Sequence, residues 1–96
     1  MQIIENWTDV VGKVEDVEPS DVSDDFVKVK MAVNQTKPVE GFANLLDDAK
    51  GQTLAVEVPK KAAAPLQPGE KVSCRLRRGG NKKIFAHPEQ VNKLKS

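Results

Sequence analysis

The chain has 96 residues, 39% hydrophobic and 30% charged, with 15 Lys and Arg against 14 Asp and Glu for a net charge of +1. That length suits one domain with a modest core, and that composition disfavours wholesale disorder, a histone-like polycation and an acidic disordered tail. One Cys and one His exclude a disulfide scaffold and a Cys/His zinc site, and 4% aromatic residues leave few rings for stacking.

The opening MQIIENW lacks the basic start and apolar run of a secretory signal, and no stretch approaches the ~20 apolar residues of a membrane span. The expectation is a cytoplasmic protein, one domain over residues 1–96, with frayed ends at 1–8 and 91–96 and no membrane partner. The valine-rich, β-branched run Val10-Val11-Gly12-Lys13-Val14-Glu15-Asp16-Val17 predicts a first strand, with Gly12 marking a bulge or sharp bend. Residues 18–25, EPSDVSDD, are turn chemistry. From Phe26 to Val33 the chain alternates: Val27, Val29, Met31 and Val33 fall on one face, and Phe26, Lys28 and Lys30 on the other. Such alternation predicts a strand with one wet face.

Residues 34–37 read as a loop. Pro38, Glu40 and the i, i+3, i+4, i+7 stripe of Phe42, Leu45, Leu46 and Ala49 predict a short α-helix near residues 38–49, stopped by Gly51 and capping the core. Residues 53–58 alternate again up to Pro59, and KKAAAPL at 60–66 permits at most one helical turn. After the turn Gln67-Pro68-Gly69-Glu70, residues 71–78 place Val72, Cys74 and Leu76 inside and Ser73, Arg75 and Arg77 outside. Gly79-Gly80-Asn81 makes a hairpin loop, and residues 83–87 form a fifth strand stopped by Pro88. Burying Ile84 and Ala86 points Lys83, Phe85 and His87 outward; a one-residue slip would bury Phe85 instead.

Five short strands and one short helix predict a mainly β, five-stranded small barrel. The glycine in strand one, Gly12, and the run Leu66-Gln67-Pro68-Gly69-Glu70-Lys71-Val72 leading into strand four resemble an OB-fold. In that resemblance residues 60–66 replace the usual helix between strands three and four, and the 38–49 helix is an insertion. An SH3-like or TOBE-like barrel is the alternative.

Catalytic signatures are missing: there is no P-loop, GxGxxG, HExxH or CxxC, and His87 has no spacing that singles out partners. A non-enzyme with no cofactor is expected. Asp21, Ser23 and Asp25 mimic the first calcium-loop ligands, but Phe26 stands where Gly is needed and Ala32 where Glu is needed, so no metal site is expected. Cys74 alternates with Val72 and Leu76 and reads as a small buried hydrophobe.

The +1 total conceals an imbalance. Residues 1–48 hold eleven acids and four bases, a net −7; residues 49–96 hold three acids and eleven bases, a net +8. The final hairpin concentrates Arg75, Arg77, Arg78, Lys82 and Lys83 beside Phe85, and Lys28 and Lys30 follow an outward Phe26. Cations for phosphates and rings for bases are what binders of single-stranded DNA or RNA use. The acidic turn at 18–25 opposes that reading. It suits instead a protein-interaction module that associates head to tail or docks on a charged partner. The plainest alternative is that the barrel interleaves its two halves and the charges neutralise each other.

Overall fold

The structure, a computed structural model, describes residues 5–64, 66–79 and 83–94. Its strands are β1 (Thr8–Pro19), β2 (Phe26–Pro38), β3 (Thr53–Pro59), β4 (Lys71–Arg78) and β5 (Ile84–Lys93). They form a closed barrel in the order β1-β2-β3-β5-β4, consistent with an OB-like small barrel. Pairing is antiparallel throughout except where β3 meets β5, parallel at Val56↔Ile84 and Glu57↔Phe85.

Strand β1 serves both sides of the closure, pairing with β2 along its length and with β4 from Thr8 to Lys13. It must therefore bend, and its register against β2 shifts at Val11/Gly12 and again at Val14/Asp16. At Gly12 a Cβ would stand 2.6 Å from the Ala32 carbonyl oxygen and 2.7 Å from Met31 Cγ, so only a hydrogen fits where β2 crosses. The alternating residues of the strands meet inside: Val10, Val14, Val29, Met31, Val33, Val56, Val58, Val72, Cys74, Leu76, Ile84 and Ala86 are buried. Burial of the aliphatic side chains contributes about 1.5–3 kcal/mol each and holds the barrel shut. It also pushes the Cys74 thiol up to about 12, with Asp9 adding to the rise.

The helix expected near residues 38–49 is reduced to a 3-10 turn, Asp47–Ala49. Residues 34–37, expected as a loop, continue β2 as far as Pro38. Gly41 then takes φ +88, and the Asn44 side chain accepts a hydrogen bond from the Leu46 amide at 3.3 Å, offering the backbone a turn in place of a helix. The apolar stripe splits accordingly: Leu46 and Ala49 are buried, while Phe42 and Leu45 are 40% and 38% exposed. A four-residue helix, α1 (Lys60–Ala63), follows β3. Ala49 lies near Val33 and α1 near Phe26, so Leu46 with Ala49 and Ala63 with Leu66 cover opposite ends of β2's buried face.

Two further expectations change at the ends of the chain. Pro88 does not stop β5, because the strand bulges there: Leu76 pairs with Ala86 and Cys74 with Val91, leaving Pro88 off the ladder with no amide to supply. Of the ends expected as frayed, residues 1–4 and 95–96 lie outside the described residues, while residues 5–8 and 91–94 are described. Asn6 and Thr8 are buried, Asn6 clamps the Arg78 backbone by two hydrogen bonds of 3.0 and 2.8 Å, and β5 runs to Lys93.

Candidate binding face

Strand register sets one row of side chains on the outside of the barrel. Lys28 on β2 pairs with Glu57 on β3, Glu57 with Phe85 on β5, and Phe85 with Arg77 on β4. Their sequence neighbours Val29, Val56, Val58, Ile84, Ala86 and Leu76 are buried, so this parity points outward. Phe26 lies against Phe85 edge-on with ring centroids 6.1 Å apart. The Arg77 guanidinium sits 5.7 Å from the Phe85 centroid, a cation–π contact. The Phe85 ring leans on Gly79, where a Cβ would meet Cε2 at 2.8 Å. Lys83 enters from the loop before β5 and lies 4.0 Å from Asp21.

Of the eight cationic and aromatic residues singled out from the sequence, the fold gathers Lys28, Arg77, Lys83 and Phe85 here, with Lys30 two residues along β2. It sends two elsewhere. Arg75 faces β1, where Nε meets Asp9 Oδ1 at 2.8 Å and Nη2 meets Oδ2 at 3.3 Å; this bond holds the guanidinium pKa above its ordinary value. Arg78 has the parity of Leu76, not of Arg77, and its backbone is held by Asn6. Lys82 lies outside the described residues.

The acidic β1–β2 turn folds over this face. Asp21 Oδ1 is 3.1 Å from Lys28 Nζ as well as 4.0 Å from Lys83, and Glu18 is 3.3 Å from Lys30. The hydrogen bond from Lys28 lowers the Asp21 pKa, and the same contact raises that of Lys28. Two Ser turns shape the segment: Ser20 Oγ accepts from the Val22 amide at 3.0 Å, and Ser23 Oγ from the Asp25 amide at 3.1 Å. The Ser20 hydroxyl also donates to the Glu57 carboxylate. Glu57 is 1% exposed although it lies on the outward parity, because the turn covers it. Alternation places Glu57 outside; nothing in the local sequence signals that cover, and sequence reasoning missed the residue.

The remaining candidates are absorbed into structure. His87 Nδ1 accepts from the Glu89 amide at 3.1 Å and its ring packs on Trp7 at 5.2 Å. Among the described residues no helix is long and apolar enough to cross a membrane, and no three His, Cys, Asp or Glu gather as a metal site. The strongest feature is thus a row of cations and rings crossed by the chain's own carboxylates. Compared with protein-family models, curated proteins and solved structures, the chain matches none.

Proposed function

We propose that the protein is a non-catalytic binding module that takes single-stranded nucleic acid on the outer face of β2, β3, β5 and β4. The observation that carries this reading is the convergence of Lys28, Lys83 and Arg77 with the rings of Phe26 and Phe85. Cations gathered on one sheet face attract phosphates, and the partly exposed rings offer bases a surface to stack on. In OB-like barrels the loops after strands one and four flank the ligand. Here those loops approach each other at Asp21 and Lys83.

The competing reading, head-to-tail association through the acidic turn and the basic hairpin, has less to draw on. Asp21 and Glu18 already meet Lys28, Lys83 and Lys30 within one chain. The test is titration of a labelled oligothymidylate of about fifteen nucleotides at about 50 and 200 mM salt. Binding that weakens steeply with salt, and weakens again in Arg77→Ala/Lys83→Ala, is the expected result. No binding by folded protein at the lower salt would overturn the reading.

A further inference from the structure

We infer that Asp21 occupies the place of a ligand phosphate on this face, so that a bound strand must displace the acidic turn; the inference rests on the nucleic-acid reading above. One carboxylate bridges a lysine of β2 and a lysine of the loop before β5: its Oδ1 is 3.1 Å from Lys28 and 4.0 Å from Lys83. An anion held between cations of β2 and of the loop before β5 is where a backbone phosphate crossing the Phe26–Phe85 pair would sit. One step along β2, Glu18 of β1 meets Lys30 alone at 3.3 Å.

The contact is built to exchange. The Asp21 side chain is 68% exposed and that of Lys28 23%, so water and salt reach the pair. No side chain of residues 20–25 belongs to the core; the turn is shaped by its own Ser20 and Ser23 bonds and tethered at its end, where the Asp25 carbonyl accepts from the Lys60 amide at 2.9 Å. Lifting it would free Lys28 and Lys83 and uncover Glu57, which stands in the row between Lys28 and Phe85. A carboxylate at that position accepts hydrogen bonds from the exocyclic amine of a base and repels phosphate. The turn therefore sets the affinity of the face and delays its use until a polyanion replaces Asp21 at both lysines.

The test compares oligothymidylate binding and its salt dependence in the wild-type chain, Asp21→Asn and Asp24→Asn. Both variants remove one negative charge from the same turn, but Asp24 makes none of the ion pairs. Asp21→Asn is expected to bind about fivefold more tightly, with a log–log salt slope steeper by about 1, because two lysines then meet phosphate instead of carboxylate. Asp24→Asn is expected to stay within about twofold, with the wild-type slope. Equal behaviour of the two variants, whether unchanged or equally tightened, would overturn the inference while leaving the nucleic-acid reading intact. Absence of binding in all three would overturn both.

Discussion

Two connections of the barrel are built on opposite principles. The segment between β2 and β3, residues 39–52, is part of the core: Leu46 and Ala49 are buried, Thr8 donates to Asn44 at 2.7 Å, and Trp7 bonds back to Ala43. The turn between β1 and β2, residues 20–25, contributes no side chain to the core and touches the barrel through ions, the Ser20–Glu57 bond and one backbone bond from Lys60 to Asp25. Apolar packing fixes the first in place, since it is insensitive to salt and costs much to undo. The second is held by contacts that salt and a competing anion weaken. One connection is therefore structure, and the other, on the proposed reading, regulates what the face accepts.

The contrast is broken most severely at Leu46. Leu46→Ala is expected to lower unfolding stability by about 2–5 kcal/mol, read from urea denaturation, because a wholly buried side chain leaves a cavity. A loss no larger than that of a surface variant would show that the 39–52 segment is not a plug. Next comes Glu57, buried beneath the turn. Ser20→Ala removes the donor to a Glu57 that is otherwise buried, and about 1 kcal/mol of stability should go with it, near the low end because water can follow.

A third test uses Cys74 as a reporter of the barrel interior. Its thiol is pushed up to about 12, against an ordinary 9.0, so the folded chain keeps a proton that the unfolded chain loses. Its contribution is fully present below pH 9.0 and is lost as pH rises towards about 12. The urea midpoint should fall over that window, and Cys74→Ala should flatten the fall. Smallest of all is the effect of Asp21→Asn on stability: its denaturation midpoint should match the wild type, and a clear loss would mean that the turn is structural after all.

Much of this architecture was legible in the chain. Alternation in residues 26–33 and 71–78 set both the strands and their outward faces, and Gly12 marked the bend that β2 crosses. Three local signals misled. The stripe of Phe42, Leu45, Leu46 and Ala49 has helical spacing, but Gly41 and the side chain of Asn44 favour turns. Pro88 looks like a stop, yet a bulge needs no amide there. Residues 34–37 lack hydrophobic alternation but pair with β1 all the same. Of the site, the outward cations and Phe85 could be read from parity. Their partners could not: Asp21 reaches Lys83 across 62 residues of chain, and Asp9 reaches Arg75 across 66, through the path of the barrel rather than any spacing. The −7 and +8 halves are thus interleaved in part, while Arg77 is left over Phe85 on the exposed side of the row.

The location of the binding face is the claim on which the rest depends, and amide chemical-shift mapping during an oligothymidylate titration addresses it directly. The largest changes are expected on Lys28, Glu57, Phe85, Arg77 and the 20–25 turn, with the Asp9–Arg75 seam undisturbed. Changes centred on that seam or on residues 39–52, or none at low salt, would contradict it.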